Sequence, residues 1–271
     1  MKNNTRRDFI KSSAAVGSFF ILPSGLRAKS PNSKICTAHI GTGGKGRIDT
    51  MYLAKHSNVE VIGLCDVDYA HGKMDNWSKQ FKSATAFQDY REMLAKLDDK
   101  IDAVSISTPD HTHYPATMDA MERGKHIYLQ KPLTHKLKEA RQLAEFAAQK
   151  GLTTQMGIQN QSREAYRLAR HYIQEGLIGK VSKVYVWSFK TWGYDGKPFK
   201  EKSEIPGSLD WNLWLGTAPM HDYVSNVYHP GQWRKLLDFG CGTLGDMGIH
   251  IFDTPFFHLL FSRGNNHLIY I

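Results

Sequence analysis

An α/β fold wound around a parallel sheet is what this sequence predicts, and three observations carry the prediction. Strand-like and helix-like runs alternate with short connections from residue 34 to about 157. The first strand-like run, Ile35 to Ile40, leads straight into the glycine-rich loop Gly41-Thr42-Gly43-Gly44-Lys45-Gly46. The second, Val59 to Cys65, ends in the carboxylate Asp66.

Taken in order, strands are expected near 34–40, 59–65, 84–87, 103–107, 125–129 and 153–156. Helices are expected between them, near 45–55, 68–81, 89–97, 114–123 and 136–149. The last shows its apolar stripe plainly, with Leu137, Ala140, Leu143, Ala144 and Ala147 at helical spacing. Alternation of this kind builds right-handed βαβ units, and ligands of such sheets sit beyond the carboxyl ends of the strands. After about residue 157 the pattern changes. A helix from Ser162 to Glu175 and a β-branched and aromatic strand from Val181 to Phe189 precede an irregular stretch, 191–234, rich in Gly, Pro and Trp. The expected organisation is a targeting segment (1–29), a Rossmann-type domain (30–157) and a second, incomplete α/β or α+β domain (158–271).

Composition separates targeting from chemistry. The 271 residues are 41% hydrophobic and 23% charged, ordinary for a soluble globular protein. The net charge of +9 is uneven: six basic residues against Asp8 in the first 29 positions account for +5 of it. No basic cluster with interleaved aromatic residues stands out, so nucleic acid is not an expected partner. Thr5-Arg6-Arg7-Asp8-Phe9-Ile10-Lys11 resembles a twin-arginine export signal, and the apolar stretch Ala14 to Leu22 is too short to anchor the chain in a membrane. Export to the periplasm is therefore expected, with cleavage after Ala28. A basic amphipathic helix is the other reading of this segment. The three cysteines, Cys36, Cys65 and Cys241, are odd in number and widely spaced, which argues for packing rather than a disulfide framework or a zinc site.

Five places can carry chemistry, and the tryptophans are a further candidate. In the loop at 41–46, Gly41 permits a tight turn, Gly43 lets the backbone approach a pyrophosphate, and Gly46 lets the helix pack on the strand. Asp66 is placed to accept hydrogen bonds from an adenosine ribose and to repel a 2′-phosphate, so NAD is favoured over NADP. The fourth strand runs into Thr108-Pro109-Asp110-His111-Thr112-His113, a polar loop expected over the cofactor. His111 and His113 there are metal ligands, loop-stabilising or substrate-edge residues, or plain surface; no third ligand completes a set, and no metal is expected. The fifth strand ends in Gln130-Lys131-Pro132, which brings an ammonium to the same crevice as the glycine loop. Asp246 and His250 share a helix face four residues apart, a pair able to orient substrate and accept a proton, or to serve structure alone. Trp187, Trp192, Trp211, Trp214 and Trp233 suit sugar faces or core packing.

These segments together, over residues 34 to about 255, resemble the Gfo/Idh/MocA oxidoreductases, the family of glucose–fructose oxidoreductase and inositol dehydrogenase. The resemblance rests on the glycine loop, Asp66, Thr108-Pro109-Asp110…His113, Lys131-Pro132 and Asp246…His250. It implies hydride transfer between a sugar or polyol hydroxyl and nicotinamide. Lys131 would polarise the hydroxyl, His250 act as general base and Asp246 orient substrate or base. Gly41, Gly43, Gly44, Gly46, Asp66, Thr108, Pro109, His113 and Lys131 would hold the cofactor. It also implies a substrate sheet that often mediates homo-oligomerisation. Some relatives instead use NAD transiently to cleave glycosides, and a nucleotide-binding fragment without activity is a third expectation. The sequence departs from the family in two places. The usual Glu before the lysine is Gln130, and the chain ends soon after the Asp246–His250 segment, as a truncated product would.

Overall fold

Each sheet strand is short, and each is joined to the next by a helix, which leaves parallel pairing as the available arrangement. In the computed structural model, which describes residues 34–179, 181–193, 201–253 and 255, six strands form one sheet. They are β1 (Ile35–Ile40), β2 (Val59–Cys65), β3 (Thr85–Phe87), β4 (Ala103–Ile106), β5 (His126–Gln130) and β6 (Thr154–Gly157). Their order is β3-β2-β1-β4-β5-β6, and every pairing is parallel. That is the doubly wound order, with its switch point between β1 and β4.

Helices α1 (Gly44–Leu53), α2 (Met74–Gln80), α3 (Tyr90–Lys96), α4 (Asp110–Glu122) and α5 (Leu137–Lys150) make the crossovers. Local chemistry sets their ends. Asp89 caps α3 by accepting from Arg91 N, and Glu139 reaches back to Lys136 N at the start of α5. Gly151, at φ +64°, closes α5 in the left-handed conformation. The sheet buries Ala38, Ile40, Val104, Ile106, Ile127 and Leu129 against Met93 and Leu94 of α3, Ala116 and Ala120 of α4, and Leu143 and Ala147 of α5. A second cluster lies where the sequence is irregular: Trp211 and Trp214 of α7 (Trp211–Leu215) stack at 4.7 Å and pack with Tyr223, Tyr228, Trp233 and Phe239. Two further helices follow β6 in order around this region, α6 (Glu164–Gln174) before α7 and α8 (Gly242–Ile251) after it.

The structure departs from the sequence reading in three elements. The helix expected over 68–81 begins only at Met74, because Asp68 holds the backbone N–H groups of Ala70 and His71 in a turn. The helix expected from 114 begins at Asp110, so His111 and His113 lie in a helix and are buried rather than in a polar loop. Pro115 suggests a helix start four residues later, but inside α4 its missing N–H removes a single ladder bond. Finally, Val181 to Phe189 forms no strand, and Phe189 is 91% exposed. No strand lies beside it among the described residues, so its backbone has no ladder to join. Beyond β6 the described residues carry helices and one isolated bridge, Asp68 with Leu209, and no second sheet. The twin-arginine segment and the last residues, 256–271, lie outside the described residues.

Candidate active site

The chain ends of β1 and β4 approach so closely at the switch point that only glycine fits. A methyl group on Gly41 would stand 2.7 Å from the carbonyl oxygen of Ser107, and Gly41 holds φ at +79°. One on Gly46 would collide with the carbonyl of Gly41, so α1 packs directly on the turn that feeds it. The opening N–H groups of α1 have no partners inside the helix and meet a cleft of about 430 Å³. Gly41, Gly43, Gly44, Asp66, Thr108, Pro109 and Lys131 all line that cleft. Bare backbone at a helix N-terminus, with a buried carboxylate beside it, fits the diphosphate and ribose of a dinucleotide.

Asp66 is buried, and its oxygens accept from Thr42 N at 2.8 Å, Gly43 N at 2.9 Å and Asp68 N at 3.0 Å. Burial raises its pKa, and those backbone donors work against that rise. The carboxylate thereby fixes the shape of the glycine turn.

His113 is placed otherwise than expected for a cofactor contact. It is 1% exposed, with Nδ1 2.8 Å from Pro132 O and Nε2 2.9 Å from Thr108 O. Burial lowers its pKa to about 4, so the ring is neutral and donates to one of the two carbonyls at a time. Its work is to fasten the Thr108–Pro109 turn to the Lys131–Pro132 turn. His111 likewise packs between Trp214 and Phe239 with Nε2 3.1 Å from Trp214 O. Neither joins a metal-ligand cluster among the described residues.

Lys131 and Asp246, 115 positions apart, come together. The ammonium donates to Asp246 Oδ1 at 2.7 Å and to its backbone oxygen at 2.8 Å. Arg234 Nε donates to the same Oδ1 at 3.1 Å, with its guanidinium 4.2 Å from the Trp233 ring centre. Burial acts to raise the Asp246 pKa, but Lys131 and Arg234 outweigh it and hold the carboxylate below its ordinary range. His250 follows one turn later on α8, buried, with Nδ1 lacking a partner among the described residues. Desolvation, then the charge of Lys131, lower its pKa. His250 and Asp246 stand behind the cleft wall, whereas Lys131 is part of it.

Gln130 explains its own presence. Its amide donates to Asp49 Oδ2 at 2.8 Å, an oxygen that also accepts from Ser107 Oγ at 3.0 Å, while Lys45 pairs with Oδ1. A glutamate at 130 would set a second buried carboxylate against Asp49.

Three cleft residues are given no role of their own by the sequence reading. Asp110, at the start of α4, is 3% exposed and accepts from Cys241 N at 3.2 Å; burial pushes it up to about 6. Arg234 had a signal in its place after Trp233, beside a cluster that needs packing. His71 had none, because the contact that places it comes from His229, 158 positions away. Of the tryptophans, Trp211, Trp214 and Trp233 are core anchors, and Trp214 and Trp233 also line the cleft.

Comparison with known proteins gives matches along most of the chain. Residues 35–158 match a family model described as an oxidoreductase family with an NAD-binding Rossmann fold, and 164–267 match the C-terminal α/β domain of an oxidoreductase family. A scyllo-inositol 2-dehydrogenase (NAD(+)) of Bacillus subtilis is 34% identical over 140 residues, 51% of this chain and 40% of the relative. A glycosyl hydrolase family 109 protein of Stenotrophomonas maltophilia is 37% identical over 126 residues, 44% of this chain and 28% of the relative. The fold of an NAD-binding protein from Listeria innocua superposes with a TM-score of 0.57 at 22% identity, covering 83% of this chain and 55% of that one. The chain thus spans about half, or less, of the length of these relatives.

Gln130→Glu is expected to destabilise the protein by about 3 kcal/mol at pH 8, the order of cost of an uncompensated buried charge, and less as pH falls and one carboxyl is protonated. Adding Asp49→Asn restores a donor–acceptor pair and recovers most of the loss in urea denaturation. Asp110 gives a second pH signature. Its folded pKa lies above the unfolded 3.8, so its stabilising contribution is full below that value and is lost as pH rises through about 6. Over that interval wild type should lose about 2–3 kcal/mol that Asp110→Asn does not lose, read as the difference between their denaturation free energies at pH 4 and pH 7.

Proposed function

The chain belongs to the Gfo/Idh/MocA oxidoreductase family, and from that premise we propose that it binds NAD in the cleft and transfers hydride between nicotinamide and a sugar or polyol hydroxyl. The observation that supports this most is the ammonium of Lys131, set at the end of β5 on the cleft wall and anchored by Asp246. An ammonium has three N–H donors, and Asp246 takes two, which leaves one for a substrate oxygen.

The glycine turn and the start of α1 would hold the diphosphate, Asp66 the adenosine ribose, and Thr108 and Pro109 the wall beside them. Asp66 favours NAD over NADP because a 2′-phosphate would meet a carboxylate there. When bound, the nicotinamide supplies the hydride acceptor. Lys131 donates to the reacting hydroxyl oxygen and stabilises the negative charge that grows on it as the C–H bond is given up. His250, one turn along α8 from Asp246 and set back from the cleft lining, is the proton acceptor that the family implies: with substrate on Lys131 it would take the hydroxyl proton, and a carbonyl would be left on the substrate. Asp246 fixes the ammonium in place.

The relative named as a glycosyl hydrolase supports a second reading, in which the sugar is oxidised and later re-reduced while a glycoside bond is cleaved. The family's oligomers make a homo-oligomer the expected assembly. Export by the twin-arginine route belongs to the same proposal, since Thr5 to Lys11 carries the paired arginines and a folded, loaded enzyme suits that route. Cell fractionation of the full chain beside Arg6→Lys/Arg7→Lys tests it, with periplasmic protein lost in the double variant as the supporting result.

The full chain mixed with NAD and a panel of sugars and polyols is expected to accumulate NADH. Lys131→Met should lower that rate about 10²–10³-fold, as loss of one preorganised donor does, while NAD still binds. Because the pKa of His250 is lowered, the rate should hold its plateau below the pH at which an ordinary histidine is half protonated. Glycoside cleavage without NADH accumulation favours the second reading, and absence of NAD binding by folded protein refutes both.

A further inference from the structure

The turn between β2 and α2 lays an imidazole across the glycine loop. A methyl group on Gly43 would stand 2.8 Å from His71 Nε2, and one on Gly44 would stand 3.7 Å from it. Gly43 is the N-cap of α1 and Gly44 its first residue, so His71 covers the spot where that helix presents its open N–H groups.

Several contacts hold the ring there. Asp68 Oδ1 accepts from His71 N at 3.2 Å and from Ser208 Oγ at 2.8 Å. Asp68 Oδ2 lies 3.0 Å from His229 Nε2, and His229 meets His71 edge to face at 4.8 Å between ring centres. The bridge from Asp68 to Leu209 and the bond from Tyr69 N to Ser208 O fasten the same turn to the later segment.

What distinguishes His71 is that its ring is uncommitted. Lys45, Arg91, Lys131, Arg234, His71 and His229 are the basic side chains of the cleft wall. Lys45 pairs with Asp49, Arg91 with Asp89, Lys131 and Arg234 with Asp246, and His229 with Asp68. Neither ring nitrogen of His71 has a hydrogen-bond partner among the described residues, and the residue is half-buried at the cleft. A dianionic diphosphate brought to the glycine turn meets the carboxylates of Asp66 and Asp68 nearby, and one basic group free to answer its charge.

We propose that His71 is a cofactor ligand whose imidazole donates to the diphosphate of the dinucleotide over Gly43 and Gly44, with His229 and Asp68 holding it in that position. The inference rests on the NAD reading of the cleft and adds to it a specific contact. The charged and titratable groups beside His71 are Asp66 and Asp68 of its own turn and His229 from the later segment, while Lys45, Asp89 and Arg91 line the same cleft. Desolvation, then the proximity of His71, lower the pKa of His229. A ring N–H of His71 directed at a diphosphate oxygen makes a hydrogen bond to a charged acceptor, which is stronger than one between neutral groups.

The test is titration calorimetry of the full chain with NAD, ADP-ribose and adenosine. Wild type is expected to bind NAD and ADP-ribose. His71→Leu should weaken both by about tenfold, the scale of one hydrogen bond to a charged group. Adenosine, which lacks phosphate, should bind wild type and variant alike. His71→Arg should restore affinity, and circular dichroism checks that each variant is folded. Equal NAD affinity of wild type and His71→Leu overturns the contact while leaving the cofactor site standing. An equal loss for adenosine overturns it too, because the effect is then on the shape of the site. If folded wild type binds no NAD, the reading of the cleft fails and the contact fails with it.

Discussion

Asp246 carries its carboxylate into a space largely closed to water, between the end of β5 and the segment that precedes α8, and there it meets Lys131 and Arg234. Charges in such a place persist only when paired and hydrogen-bonded, and removal of one partner is far costlier than the pair is stabilising. The pair therefore acts as a positional lock. It ties the parallel sheet to α8, and it holds the ammonium at the wall of the cleft with one N–H unspent. Arg234 reaches Asp246 because its guanidinium lies along Trp233, which is itself seated among Tyr228, Trp214 and Phe239. The aromatic cluster is thus the support of the Lys131–Asp246–Arg234 group as well as a core.

A second buried carboxylate, Asp49, performs the matching task on the other side of the glycine turn. It gathers Lys45 from its own helix, Ser107 from the end of β4 and Gln130 from the end of β5. Three elements that border the cleft are drawn to one side chain. The neutral amide at 130 follows from that arrangement: Asp49 needs a donor there, and a glutamate would bring a competing charge. Electrostatic order at the site comes from where carboxylates are buried and which donors each receives.

The sheet was legible because its signals are local. Strand-like runs, helical stripes and the glycine loop each follow from residues close in sequence, and the strands fall within a residue or two of expectation. Asp66 and the closeness of Lys131 to the glycine turn were legible through topology, since the ends of parallel strands share an edge. Other features depend on partners remote in sequence. Val181 to Phe189 has strand-like residues, yet a strand exists only where a neighbour completes its ladder. His113 reads as a loop histidine until Thr108 and Pro132 close around it. Asp110 gains its altered proton affinity from burial against the turn at Cys241, which no local pattern encodes.

The β2–α2 turn shows how the two parts of the chain depend on each other. Asp68 faces inward with three classes of partner: backbone N–H groups of its own turn, the hydroxyl of Ser208 and the imidazole of His229. Gln88 adds bonds to the carbonyls of Val67 and Ser208. Whatever sets the position of residues 208–230 therefore also sets the side chain lying over Gly43. That segment in turn places Trp214, Trp233 and Arg234 along the same cleft. The glycine turn and the Lys131–Asp246–Arg234 group thus border one cleft and are both in contact with the later segment. Rossmann sheets hold a nucleotide by backbone geometry common to many proteins. The individuality of this one lies in the side chains that the 208–250 region presses against that geometry.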